Sequence, residues 1–342
     1  MFKISLKKLD EMFLEISKSN TLYVPVNTKS GAEFKKWQQG MRISTDVNTN
    51  KSPKDFFFPQ TQNLMDFKVK GKNIEIFPDK SNSESFIIFG VRACDVKSLE
   101  ILDKVFLSNP VDAYYKRRRE SGIIMSLACE NPLETCFCHV FNIDASSPKG
   151  DVVCYKIDEF LYMNAATYKG ENFLKEICEI TECEDSAKVE NQKKLIKDRI
   201  EKLPLTNVLT EKFKNASTKD FFDDPKWSEL SRFCVGCGTC TFICPTCHCY
   251  DIKDFNSGCE VKRFRCWDSC MYSSFTKMSA GQPRATQTER FRQRFMHKLI
   301  YFPMNNDGDF SCVGCGRCAL CCPIHMNIVK VMKTLGGGKT DA

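Results

Sequence analysis

The sequence predicts an α+β chain, in which an N-terminal α/β half built on a partly parallel sheet precedes a mostly helical C-terminal half. Three observations carry this. Two continuous apolar runs, residues 86–91 (FIIFGV) and 122–128 (GIIMSLA), bracket residues 96–107, where Leu99, Leu102, Val105 and Phe106 recur at helical spacing. Strand, helix, strand in so short a stretch is the pattern of a right-handed βαβ unit with parallel strands, and unbroken apolar runs suit strands covered on both faces. The composition then changes near Trp227 into short cysteine-rich runs with little strand signal.

The remaining elements follow in chain order. Ile4, Leu6, Leu9, Phe13 and Ile16 fall on one face of an amphipathic helix, and residues 21–26 read as a strand. Residues 46–59 turn from polar to aromatic (Phe56, Phe57, Phe58) without a period, and take no assignment. Between 159 and 201 the chain is charged and helix-prone, with helices expected over 171–179 and 188–202. Residues 207–224 read as a polar bridge, and the glycine-rich end is expected to be flexible. With 342 residues there is room for two domains, placed at 1–225 and 226–335, followed by the tail 336–342.

Composition narrows the function. The 42% hydrophobic and 27% charged residues are near the globular average, which argues against global disorder. No apolar run is long enough to span a bilayer, and the first twenty residues lack the apolar segment of a signal peptide. The expectation is a cytoplasmic protein with no membrane insertion. In that compartment thiols stay reduced, so 21 cysteines point to metal rather than to disulfides.

Two stretches repeat one pattern. Cys234, Cys237, Cys240 and Cys244 stand at spacings of three, three and four before Pro245, and Cys312, Cys315, Cys318 and Cys322 repeat this before Pro323. The surroundings agree as well, CVGCGTC against CVGCGRC. This is the bacterial ferredoxin run, in which three cysteines hold one [4Fe–4S] cluster and the fourth ligates the other. Gly236, Gly238, Gly314 and Gly316 permit the backbone angles that aim N–H groups at cluster sulfurs. Zinc sites use paired CxxC elements with four ligands in all, a different pattern. Two [4Fe–4S] clusters are therefore expected, in a ferredoxin-type dicluster domain. The interval of 67 residues between Cys244 and Cys312 favours a helical dicluster fold with an insertion over the compact β-rich ferredoxin. Cys247, Cys249, Cys259, Cys266 and Cys270 lie in that insertion, as ligands of a further centre or as buried thiols.

A third [4Fe–4S] site follows from topology. Cys94 and Cys129 sit just after the two βαβ strands, where open α/β sheets bind their ligands, and Cys136 and Cys138 follow in the next loop. Buried free cysteines are the alternative. Arg92 and Asp95 flank this site, to tune its potential or as an ordinary salt bridge. Residues 262–298 are basic and read either as counter-charge or as a docking face for an acidic partner. The formal charge of +7 counts every cysteine as neutral. Three clusters at roughly −2 each would bring it near +1, so no nucleic-acid partner is expected. No nucleotide-binding glycine motif is present, and the four histidines show no paired acid–base geometry.

Further motifs give a family resemblance. They are residues 90–95 (GVRACD), 103–107 (DKVFL), 115–120 (YKRRRE), Cys129, 136–138 (CFC), 244–249 (CPTCHC) and 267–270 (WDSC), then Arg292, Arg294, His297, Lys298 and the second cysteine run. In this order, over residues 86–328, the chain resembles the iron–sulfur subunit shared by anaerobic sulfite reductases and cytoplasmic sulfhydrogenases, where it is the beta subunit. Cys266 departs from the pattern, where a non-cysteine is expected. The resemblance implies an electron-transfer subunit with no substrate chemistry of its own. It would relay electrons between a terminal subunit, either a siroheme sulfite reductase or a nickel–iron hydrogenase, and a flavin/NAD(P)H-binding subunit. The alternatives are a subunit of a flavin-based bifurcating complex, direct reduction of a sulfur compound at an open cluster, or a zinc nucleic-acid module.

Overall fold

The computed structural model describes residues 1–29, 31–46, 48–78, 84–177, 182–183, 187–258 and 260–337. Cys259, the last two residues of the helix expected over 171–179, and the tail beyond 337 lie outside them.

The apolar runs form the middle of an eight-stranded sheet. Its strands are β1 (Phe2–Ser5), β2 (Thr21–Thr28), β3 (Gly31–Lys36), β6 (Phe86–Val91), β7 (Gly122–Leu127), β8 (Val152–Ile157), β9 (Phe160–Ala165) and β10 (Glu182–Cys183), in the order β10-β1-β9-β8-β7-β6-β2-β3. The four central strands β2, β6, β7 and β8 are parallel neighbours, and the outer pairs are antiparallel. Every residue of β6 is buried, as an unbroken apolar run requires of a strand covered on both faces. The helix Ala93–Phe106 crosses from β6 towards β7 and buries Leu99 and Leu102, so the βαβ unit and the α+β class stand as expected.

The N-terminal segment is shorter as a helix than its periodicity suggests. Phe2–Ser5 is captured as strand β1 between β9 and β10, and the helix runs only from Leu9 to Ser17, burying Met12, Phe13 and Ile16. Sheet pairing outweighs helical propensity there because it satisfies backbone groups of β9 that would otherwise lack partners. The unassigned aromatic stretch is core. Phe57 and Phe58 are fully buried and pack with Phe86, Phe106 and Tyr115 on one face of the sheet. The expected polar bridge holds two one-turn helices, Glu211–Lys214 and Thr218–Phe221, whose Phe213 and Phe221 stack at 5.1 Å.

A second, all-antiparallel sheet has no counterpart in the sequence expectation. It consists of β4 (Thr61–Lys70), β5 (Asn73–Pro78), β11 (Tyr250–Asn256) and β12 (Glu260–Trp267), ordered β11-β12-β4-β5. The hairpin β11–β12 comes from the insertion between the cysteine runs, and β12 pairs with β4 from before the βαβ unit. At its root Arg265 is buried and ion-paired to Asp112, and it donates to Gln62. Trp267 stacks on Phe58 at 5.8 Å. The rest of the C-terminal half is helical, with Lys226–Ser231, Gln287–Met296 and Ile328–Gly336 sharing one apolar core. Among the described residues no helix is long and apolar enough to cross a membrane.

Candidate metal centres

Each cysteine run is a loop closed by a single helical turn, Thr239–Phe242 or Arg317–Leu320, entered through a glycine at positive φ (73° at Gly238, 75° at Gly316). Cys234, Cys237 and Cys240 line one cavity, and the fourth cysteine on its wall is Cys322 of the second run. Met271, Phe291 and Phe295 make much of the remaining wall. Cys244 is not on that wall; its charge is among those that raise Cys312, Cys315 and Cys318 of the second run, as well as Cys240 of its own. Cys322 of the second run thus faces the three cysteines of the first.

Burial pushes the Cys312 and Cys315 thiols up to about 12 and also raises Cys240 and Cys318. Such thiols ionise only against strong positive charge, which is what a metal cluster supplies. Cys237 differs. Hydrogen bonds from the side chain and backbone of Thr239 hold it below the ordinary thiol range. Gln287 donates to Cys234 Sγ at 3.4 Å.

Three buried cations stand around these loops. Arg294, on the helix Gln287–Met296, donates to the Cys240 carbonyl at 3.1 Å, while its Nε has no partner among the described residues. Burial works against its charge, but Cys240, Cys318, Cys247 and Cys244 outweigh it. Lys298 lies in a π-helical stretch, His297–Tyr301, and donates to Thr246 Oγ1 at 2.8 Å and to the Ser311 carbonyl at 2.9 Å. It therefore ties the segment after Cys244 to the residue before Cys312. Lys54 donates to the carbonyls of Cys244 and Cys247, both at 3.0 Å, with its Nζ 3.6 Å from the Trp267 ring centroid. None of the three forms an ion pair with a carboxylate among the described residues. Buried cations without carboxylates call for an anionic occupant, since each costs several kcal/mol otherwise. An all-thiolate donor set with net negative charge fits this.

The third set converges as well. Cys94 follows β6 and Cys129 follows β7, at the carboxyl ends of parallel neighbours. Burial is the main force that raises Cys94, Cys129, Cys136 and Cys138, and Cys136 is pushed up to about 12. Cys138 adds to the shift at Cys94, while Cys129 adds to those at Cys136 and Cys138. This set abuts the second run. Phe137 N–H donates to the Gly314 carbonyl at 2.8 Å, and Cys136 Sγ lies 3.7 Å from the Cys315 carbonyl. A Cβ on Gly314 would stand 2.5 Å from the Phe137 carbonyl oxygen, so only glycine admits this approach.

Asp95 forms the salt bridge that was one of its two expected roles, but its partner is Arg317 and not Arg92. It accepts two hydrogen bonds from Arg317 of the second run, at 2.6 and 2.8 Å, with both partners fully buried. Arg92 instead donates to the Ala128 carbonyl at 2.9 Å and to the Thr45 carbonyl at 2.5 Å. Arg317 is the one position where the two seven-residue motifs differ. Its partners Asn48 and Thr49, like Lys54, come from the segment that carried no sequence signal.

The other thiols form two contacts. Cys244 and Cys247 share a hydrogen bond that lowers the first and raises the second. Cys249 is lowered to about 7 by a hydrogen bond from Cys270. Cys266 stands on β12 opposite Thr61. The basic stretch is not one face. Arg263 pairs with exposed Asp254, Arg265 is buried on Asp112, and Arg294 and Lys298 reach the cysteine loops.

Among the described residues no three His, Cys, Asp or Glu side chains close on a point as ligands of a single metal ion do. Four cysteines around a largely apolar cavity, with buried cations and an unpartnered donor beside them, instead fit a [4Fe–4S] cluster, which spreads its thiolates apart. Comparison with known proteins agrees. Residues 233–326 match the 4Fe-4S dicluster domain family. The whole chain is similar to sulfhydrogenase 2 subunit beta of Pyrococcus furiosus, 30% identical over 346 residues that take in 98% of each protein. The chain therefore belongs to the iron–sulfur subunit family of the sulfhydrogenase beta subunits.

Proposed function

We propose that this iron–sulfur subunit is a one-electron relay through three [4Fe–4S] clusters. The first is held by Cys234, Cys237, Cys240 and Cys322, the second by Cys312, Cys315, Cys318 and Cys244, and the third by Cys94, Cys129, Cys136 and Cys138. The relay joins a flavin/NAD(P)H-binding subunit to a terminal subunit, a nickel–iron hydrogenase or a siroheme sulfite reductase, within a cytoplasmic complex. That the Pyrococcus furiosus relative is the beta subunit of a sulfhydrogenase supports the multi-subunit setting.

The observation that carries the proposal is the adjacency of the three cysteine sets. Arg294 feels both Cys240 and Cys318, and the Cys315 carbonyl touches Cys136. When bound, each cluster supplies a one-electron redox couple. The chain's own residues exclude water, neutralise the thiolates and hold the sites in series. Burial lowers His248 to about 4 and His297 to about 3, which disfavours their protonated forms near neutral pH.

The test is Cys237→Ala in the natively assembled complex. The wild type should carry about twelve irons per chain, and the variant about four fewer. The flavin subunit should still be reduced by its nucleotide, but electrons should no longer reach the terminal acceptor. Wild-type turnover by a variant that has lost those irons would remove the relay role.

A further inference from the structure

The two cysteine runs differ at one residue in seven, yet they meet opposite surroundings. Val313 of the second run is 2% exposed, whereas its counterpart Val235 is 67% exposed. Ser311 is 1% exposed and its counterpart Phe233 is 66% exposed. The cover over the second run is the chain's own loop 135–138, against which Gly314 and Gly316 lie too close for any side chain. That loop brings Cys136 and Cys138, so the segment covering the second run also belongs to the next site. The differing residue follows the same division. Arg317 is a buried anchor on Asp95, while Thr239 turns its hydrogen bond onto Cys237, which is exposed.

The segments around the bare run are mainly basic. Residues 230–250, 269–288 and 310–337 supply much of the cavity wall and contain no Asp or Glu, with Glu229, Asp268, Glu289 and Asp309 standing just outside them. They carry exposed Arg232, Lys277 and Lys330. Phe233 and Val235, each two-thirds exposed, flank Cys234 and together leave an apolar patch beside the first site.

We propose that the bare face of the first run, centred on Phe233, Val235 and Cys237, docks a partner subunit that presents an apolar patch ringed by carboxylates. The partner carries its own redox centre behind that patch, as loop 135–138 does for the second run. The apolar centre supplies affinity, and the basic rim supplies orientation and a salt-dependent on-rate. One electron leaves the first site and one is gained by the partner's centre, with no bond or proton exchanged. This rests on the relay proposed above.

The test uses the native complex, purified anaerobically through this chain. A photo-reactive p-benzoylphenylalanine replaces Phe233, and the cross-linked peptide is identified by mass spectrometry. The expected product joins this chain to a second polypeptide that carries a flavin or a metal cofactor. A cross-link to another copy of this chain, or no intermolecular product from an intact complex, overturns the proposal. In parallel, Val235→Glu should lower recovery of that polypeptide at least tenfold with iron per chain unchanged. Ile252→Glu, on β11 and similarly exposed, should leave recovery at the wild-type level. Full recovery with Val235→Glu counts against the docking face, and if that variant loses iron the cross-link alone decides. A wild-type chain without iron would defeat the relay, whereas an iron-loaded chain that fails the cross-link defeats only the docking face.

Discussion

Arg294 illustrates how much a single side chain can set. Its guanidinium is buried between the two cysteine runs, with one N–H on the Cys240 carbonyl and Nε without a partner among the described residues. A fixed cation there favours whichever cluster state is more negative, the reduced one. Arg294→Gln keeps a donor and removes the charge, so both neighbouring potentials should fall, by about 60 mV for each tenfold change in the one-electron equilibrium. Redox titration followed by electron paramagnetic resonance would show this at unchanged iron content, and unaltered potentials would mean that the charge is screened from both sites. At this scale the cysteines were legible, because thiol spacing is local and the ferredoxin run is short. The cations were legible only in part. Arg294 and Lys298 stood out within the family motif and in a basic stretch read as counter-charge or docking face, but nothing in a linear sequence says which lysine or arginine is buried. Lys54, Asn48 and Thr49 reach the cysteine loops from a segment roughly two hundred or more residues away, without any period to mark them.

The hairpin β11–β12 shows the same limit for elements. The βαβ unit was visible because both of its strands are buried apolar runs. The hairpin is largely exposed and rich in charge, so its residues look like loop, and its partner strand β4 is far upstream. What fixes it is tertiary. Arg265 is buried on Asp112, and Asp112 also caps the helix Ala113–Ser121 by accepting from Tyr115 N–H at 2.9 Å. Arg265→Ala would leave a carboxylate and the Gln62 side chain without their partner, and should cost about 3 kcal/mol. Urea unfolding would measure it. A loss below about 0.5 kcal/mol would mean the hairpin is held by Trp267 and strand pairing instead.

At the scale of the molecule the cysteine-rich region does not stand apart. Strand β12 is paired to β4, Arg317 is locked on Asp95, and Gly314 lies against the Phe137 backbone. A fragment of residues 226–337 produced alone should therefore fail to give a stable, iron-loaded protein, and limited proteolysis of the full chain should release no such core. A soluble fragment holding about eight irons would show that the contacts to the N-terminal half are dispensable. Cys322 stands on the wall of the first cavity about eighty residues after the other three cysteines there. Closing so long a loop costs chain entropy, so the fourth wall is in place only when the helical half has folded around it. Anything that grips all four thiols would in turn act as a cross-link between two distant stretches of the chain, and would hold that half against local opening much as a disulfide does.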